Sequence, residues 1–168
     1  MKTILLMRHA KAELILPGQK DFDRPLSKRG LQDAARMGKA LRSMKTEPDV
    51  IVASPARRAR ETADQVAKAL KHDRACRWDK ALYAASGEAW LKALHRLEAR
   101  IEVALVVAHS PGLEEAAALL AGAAPGFLDC PTAGIIAFDG SAASWKELGR
   151  GAGTLRWFLR PKLFEALE

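Results

Sequence analysis

Three short apolar runs in this chain each end directly in arginine or histidine. The runs have the length and composition of buried strands, and they cover residues 3–7, 50–53 and 103–108. The first leads into Arg8 and His9, the second into an arginine-rich segment, and the third into His109. Because ligands of open parallel sheets bind outside the carboxyl ends of the strands, we expect these side chains to meet in one crevice. Two imidazoles beside several guanidiniums indicate phosphoryl transfer through a histidine.

The alternation of apolar runs with helical patterns predicts βαβ units and a mostly parallel sheet. Helices are expected from the N-cap Ser27 to Ser43, from Pro55 to Leu70, from Ser86 through Ile101, and from Pro111 to Gly122. Further strands are expected at residues 75–78, 133–138 and 154–159, the last two antiparallel or at an edge. We therefore expect one α/β domain over residues 1–168, a three-layer sandwich with helices on both faces of the sheet.

The charge balance is basic, since 27 Lys and Arg residues against 20 Asp and Glu residues give a net charge of +7. Such a balance suits a phosphorylated substrate, nucleic acid or an anionic membrane, or is simply a solvated surface. The basic residues are spread along the chain without interleaved aromatic residues, which argues against nucleic acid. No apolar stretch approaches the roughly 20 residues of a membrane helix, and no signal-peptide pattern is present. We expect a cytoplasmic protein that contacts neither membranes nor nucleic acid.

The sequence gives no indication of a metal or redox centre. Cys76 and Cys130 match no metal or redox spacing and are expected to be reduced thiols. The chain has no Walker-type loop, HExxH motif or CxxC motif. We expect neither metal nor cofactor, because arginines can supply the charge stabilisation that metals supply elsewhere.

His9 is the leading candidate for a nucleophile. A neutral imidazole can accept a phosphoryl group, and histidine is readily neutral near physiological pH. Arg8 ends a wholly apolar run, so surface charge explains it poorly, and guanidinium binds phosphate oxygens bidentately. Spacing alone does not choose Arg58 over the arginines on either side of it. His109 either binds the transferring group or is a buried histidine bonded to backbone.

Four short motifs occur in the order and spacing of one known family. Residues 7–10 read Met-Arg-His-Ala, residues 24–30 read Arg-Pro-Leu-Ser-Lys-Arg-Gly, residues 54–62 read Ser-Pro-Ala-Arg-Arg-Ala-Arg-Glu-Thr, and residues 107–112 read Val-Ala-His-Ser-Pro-Gly. They resemble the motifs of the histidine phosphatase superfamily, with alanine in place of glycine after His9. The third resembles the family's Ser-Pro-x-x-Arg-Ala-x-x-Thr segment, and that match selects Arg58.

The resemblance implies a phosphoglycerate-mutase-like fold and a phosphorylated nucleophile at His9. Length and motif details most resemble the small SixA-type phosphohistidine phosphatases of this family. By that resemblance the catalytic residues are His9, Arg8, Arg58 and His109, and the substrate-binding residues are Arg24 and Ser110.

One family feature is missing, namely the glutamate general acid of members that cleave alkyl phosphates. Residues 79–83 read Asp-Lys-Ala-Leu-Tyr, so the acid is Asp79, Glu88 or no residue at all. We therefore predict a monomeric phosphatase that removes phosphate from phosphohistidine of a signalling protein, since imidazole leaves without a strong acid. A phosphomonoesterase for a small metabolite and a non-catalytic phosphate- or phosphoprotein-binding module are the alternatives.

Overall fold

The computed structural model describes residues 1–165, which contain one six-stranded sheet. The strands are β1 (Lys2–Arg8), β2 (Val50–Ala53), β3 (Arg77–Trp78), β4 (Val103–Ala108), β5 (Ile135–Gly140) and β6 (Gly153–Leu159). Their order is β3-β2-β4-β1-β5-β6, with parallel pairing from β3 through β1. The mostly parallel sheet is confirmed, and the antiparallel pairs β1–β5 and β5–β6 lie at one edge, as predicted. Residues 166–168 of the expected domain lie outside the described residues.

Five α-helices of the described residues connect or follow the strands: α1 (Lys28–Ser43), α2 (Arg57–Leu70), α3 (Gly87–His95), α4 (Gly112–Ala121) and α5 (Lys162–Glu165). Ser27 caps α1 as predicted, because its side chain accepts the N–H of Gly30 at 3.0 Å. Ser86 caps α3 in the same way. Two helices begin later than expected, α2 at Arg57 rather than Pro55, and α4 directly after Pro111.

The third helix is shorter than the sequence predicts, since Leu97 and Ile101 lie beyond its end. Both side chains still pack against the core on the α3 and α4 face. Two carbonyl groups of the loop that replaces the expected last turns accept hydrogen bonds from side chains. Lys2 donates from Nζ to the carbonyls of Ala99 and Ile101, and Trp145 donates from Nε1 to Ile101. Leu97 and Ile101 therefore keep the spacing of a buried helix face in a segment that lacks helical hydrogen bonds.

The sheet is covered on both faces, as expected for a parallel sheet whose strands read as continuous apolar runs. On β1, Ile4 and Leu6 belong to the core beneath α3 and α4, whereas Leu5 and Met7 belong to the core beneath α1 and α2. All four side chains are fully buried. The predicted three-layer arrangement is confirmed.

The carboxyl ends of β2, β4 and β1 lie side by side in the sheet. The hydrogen-bond ladders that join β1 and β2 to β4 each continue one residue past the strand. His9 N–H donates to the carbonyl of Ala108, and Ser54 N–H donates to the carbonyl of Val107. His9, Ser54 and His109 therefore leave the sheet at the same edge. This is where the sequence predicts a crevice.

Candidate active site

The imidazole of His9 is buried and held in one orientation. Its Nδ1 lies 2.8 Å from the carbonyl oxygen of Ala10 and donates to it, while its Nε2 accepts a hydrogen bond of 3.3 Å from Nε of Arg58. Burial lowers the pKa of His9 to about 3, against the opposing effect of the Ala10 carbonyl, and the charges of His109, Arg58 and Arg8 lower it further. The ring is therefore neutral at physiological pH, with its lone pair on Nε2.

His109 faces His9 across the end of the sheet, with 5.2 Å between the two ring centroids. Its Nε2 lies 2.8 Å from the hydroxyl oxygen of Ser54. Burial, followed by the charge of Arg58, lowers the pKa of His109 to about 4, so this ring is neutral as well. Its Nδ1 is buried and has no hydrogen-bond partner within residues 1–165.

Arg58 lies in the first turn of α2 and is buried against His9. Its Nη1 donates to the backbone carbonyl of Asp21 at 2.8 Å, and its Nη2 donates to the Asp21 carboxylate at 2.9 Å. The neighbouring arginines point elsewhere. Arg57 is exposed and pairs with a glutamate on its own helix, and Arg60 lies over the ring of a tryptophan.

Arg8 and Arg24 complete the cationic surroundings of the histidines. Arg8 donates from Nη1 to the carbonyl of Cys130 at 2.7 Å, and Arg24 pairs with Asp21 at 3.3 Å. In the described part of the chain, Nε of each arginine is buried without a hydrogen-bond partner. With Nδ1 of His109, these atoms suit an oxyanion, whose oxygens offer many acceptor sites.

Thr62 joins the two segments that carry His9 and Arg58. Its hydroxyl accepts the N–H of Ala10 at 2.9 Å and donates to the carbonyl of Arg58 at 2.6 Å. The motif that contains Thr62 was recognised in the sequence, but its contact with the His9 segment depends on the tertiary fold.

Asp21 and Tyr83 are site residues that the sequence reasoning missed. The Tyr83 hydroxyl lies 3.3 Å from Oδ2 of Asp21, and its ring packs edge-on against His109 with centroids 5.6 Å apart. Partial burial acts to raise the pKa of the Asp21 carboxyl, but Arg58, Arg24 and Tyr83 outweigh it and hold the pKa below its usual value. The spacing of Asp21 and Arg24, three residues apart, is a signal that could have drawn attention to this carboxylate.

Neither of the two carboxylates considered as general acids contacts the histidines in a hydrogen bond or ion pair of the described residues. Asp79 accepts the N–H of Ala81 and pairs with Arg96. Glu88 is exposed in the first turn of α3 and lines a cavity between α3 and α4. Ser110, expected to bind substrate, donates to Glu114 at 2.7 Å.

Within residues 1–165, no group of three or more histidine, cysteine, aspartate or glutamate side chains could hold a metal ion. No helix in the same range is long and apolar enough to cross a membrane.

Comparison with known proteins identifies similar sequences. Residues 4–83, which carry His9, Arg24 and Arg58, match the model of the histidine phosphatase superfamily, branch 1. An uncharacterized Mycobacterium tuberculosis protein, Rv1276c, is 34% identical over 118 residues, which cover 68% of this chain and 70% of the relative.

Solved structures extend the likeness to nearly the whole chain. An Agrobacterium tumefaciens protein assigned as the phosphohistidine phosphatase SixA is 25% identical, with a TM-score of 0.79 and coverage of 95% of this chain and 98% of the other. A phosphoserine phosphatase mutant from Entamoeba histolytica shares the fold at 18% identity, with a TM-score of 0.70 and coverage of 96% and 98%.

The family match and the SixA-type likeness support phosphatase activity. Both findings agree with the sheet order that brings the two histidines together. The chain belongs to the histidine phosphatase superfamily, and its structure is of the SixA type within that family.

Proposed function

We propose that this protein removes phosphate from phosphohistidine, with His9 as the nucleophile and a phosphorylated His9 as the intermediate. The observation that carries the proposal is the state of His9 Nε2, a buried and unprotonated nitrogen that accepts a hydrogen bond from Arg58 in a ring also exposed to the charge of Arg8. A neutral imidazole is a competent nucleophile, and cationic groups aimed at a phosphoryl group stabilise the charge that develops in the transition state.

In the first step, the substrate's phosphoryl oxygens bind Arg8, Arg24, Arg58 and His109. Nε2 of His9 attacks phosphorus in line with the leaving group, and a new P–N bond forms. The old P–N bond breaks, and its electron pair returns to the departing ring nitrogen. The Ala10 carbonyl keeps the proton on Nδ1 and stabilises the positive charge that His9 acquires.

In the second step, water attacks the phosphorus of phosphorylated His9. The P–N bond breaks, and its electron pair returns to Nε2. Both protons of the water leave with the phosphate as dihydrogen phosphate, so His9 returns to its neutral form with the Nδ1 proton in place. No metal takes part, because the guanidiniums supply the positive charge.

The choice of phosphohistidine rests on the leaving group. An alkyl phosphate expels a basic alkoxide, which a general acid must protonate, and such acids typically contribute about 10²–10⁴-fold. Asp79 and Glu88 bond or point elsewhere, and the lowered pKa of Asp21 keeps that carboxyl ionised. Imidazole departs without such an acid, and the structural likeness to SixA supports the same choice.

The test compares kcat/KM for a phosphohistidine peptide, p-nitrophenyl phosphate and 3-phosphoglycerate. We expect the peptide to be the best substrate and 3-phosphoglycerate to be nearly inert, with all activity lost in His9→Ala. A preference for 3-phosphoglycerate would overturn the proposal in favour of a metabolite phosphatase. Binding of tungstate without release of phosphate from any substrate would indicate a binding module instead.

A further inference from the structure

We infer that Asp21 is the residue that selects the leaving group. When a bound phosphoryl group displaces the Asp21 carboxylate from Arg58, that carboxylate accepts a hydrogen bond from the protonated ring of the phosphohistidine. The inference rests on the proposed function and assigns its substrate preference to one side chain.

The carboxylate of Asp21 occupies donors that a phosphoryl group needs. Its Oδ2 accepts from Nη2 of Arg58 at 2.9 Å, and its Oδ1 lies 3.3 Å from Nη2 of Arg24. Arg58 also donates to Nε2 of His9, so any group bound in line with this nitrogen meets the same guanidinium. A phosphoryl group and the Asp21 carboxylate therefore compete for Arg58.

Asp21 can leave Arg58 without leaving the site. Its side chain is 45% exposed, whereas that of Arg58 is only 8% exposed, so the carboxylate is the partner free to move. The Tyr83 hydroxyl also donates to Oδ2 at 3.3 Å, and the Tyr83 ring packs against His109 and Phe22. The displaced carboxylate consequently stays at the solvent side of the pocket, where the leaving group emerges.

The charge of the site determines which leaving groups fit beside this carboxylate. Arg24 and Arg58 pair with the Asp21 carboxylate, the charge of Arg8 acts on His9, and both histidines are neutral. The three guanidiniums of the site and the Asp21 carboxylate together leave two positive charges, which a bound phosphoryl dianion neutralises. The displaced Asp21 carboxylate then lacks a cationic partner. A protonated imidazole is attracted there, whereas the carboxylate of a phosphoglycerate is repelled.

The proton on the substrate ring is what activates it. With that proton in place, cleavage of the P–N bond returns the electron pair to the departing nitrogen and releases neutral histidine. No proton moves in this step, because the ring retains the proton on its other nitrogen. By stabilising the protonated ring, the Asp21 carboxylate increases the reactive fraction of the substrate without acting as an acid.

The experiment measures kcat/KM for the phosphohistidine peptide and for 3-phosphoglycerate in the full-length protein and three variants. Asp21→Asn removes the charge with little change of shape, and Tyr83→Phe removes only the hydroxyl that holds Asp21. The matched control is Asp23→Asn, which removes an exposed carboxylate from the same short turn. Thermal melting of each variant checks that it is folded.

Asp21→Asn is expected to lower kcat/KM for the peptide about tenfold, the factor that corresponds to one pKa unit of lost charge stabilisation. The same variant should leave 3-phosphoglycerate hydrolysis unchanged or raise it, and should bind tungstate more tightly in calorimetry. Tyr83→Phe should shift the ratio of the two substrates in the same direction by a smaller factor, and Asp23→Asn should leave it unchanged.

An equal fall in kcat/KM for both substrates would mean that Asp21 only supports the structure. An equal rise would mean that it only competes with the phosphoryl group for Arg58. Either result overturns the inference while the proposed function stands. Absence of His9-dependent phosphohistidine hydrolysis in the unmodified protein would instead overturn the proposed function, and this inference with it.

Discussion

At the scale of single residues, His9 shows how a buried base keeps its reactivity. Burial holds the ring neutral, and the Ala10 carbonyl fixes the proton on Nδ1, so the lone pair on Nε2 points toward Arg58. The sequence identified His9 from its place after an apolar run. The contact between Asp21 and Arg58 was not predictable from the sequence, because it depends on how the loop before α1 packs onto α2.

The three neighbouring arginines provide a residue-scale test. Arg58→Ala should lower kcat on the order of 10²-fold or more, the usual loss when one preorganised transition-state donor is removed. Arg58→Lys should also be poor, because an ammonium lacks the planar fork of guanidinium. Arg57→Ala and Arg60→Ala should remain near the unmodified protein in steady-state assays, since exposed charges contribute little. A similar loss at all three positions would indicate a diffuse basic surface rather than a defined phosphoryl site.

At the scale of elements, the strands and helix starts were predictable where local chemistry decides them. Continuous apolar runs marked β1, β2 and β4, and serine side chains marked the starts of α1 and α3. The end of α3 was predicted wrongly because Leu97 and Ile101 keep helical spacing in a loop. Only the tertiary fold brings the Lys2 ammonium to the carbonyls of that loop.

The start of α4 is the element that positions His109, and its close packing can be tested. Leu113 N–H donates to the His109 carbonyl, and a Cβ at Gly112 would overlap the carbonyl oxygen of Ala85. Gly112→Ala should therefore lower the free energy of unfolding by about 1–3 kcal/mol, as overpacking does, and should reduce activity. Gly149→Ala is the control, because a Cβ there meets nothing within 4 Å. Equal urea midpoints for the two variants would contradict this packing.

At the scale of the whole molecule, two buried neutral histidines link the site to stability. The pKa values of His9 and His109 are lowered to about 3 and about 4 from 6.5, so the unfolded chain binds protons that the folded protein excludes. Between pH 6.5 and about 4, the free energy of unfolding should therefore fall as the pH falls. The two neutral site histidines therefore lower the stability of the folded protein at acidic pH.

Urea unfolding at pH 7 and pH 5 measures this linkage. Each histidine should lower the free energy of unfolding by about 2 kcal/mol at pH 5. A pKa unit corresponds to about 1.4 kcal/mol, and pH 5 lies about 1.5 units below the ordinary histidine pKa of 6.5. The double variant His9→Gln, His109→Gln should lose correspondingly less stability over the same interval. Identical losses in the two proteins would mean that these rings are not held neutral.

The central claim is that the phosphoryl group passes through His9, and one trapping measurement tests it most directly. The protein is mixed briefly with a phosphohistidine peptide, quenched in alkaline denaturant, digested and analysed by mass spectrometry. We predict phosphate on the His9 peptide, labile in acid and stable in base as a phosphoramidate is, and no trapped phosphate and no turnover with His9→Ala. Phosphate trapped on another residue, or full turnover by His9→Ala, would contradict the account.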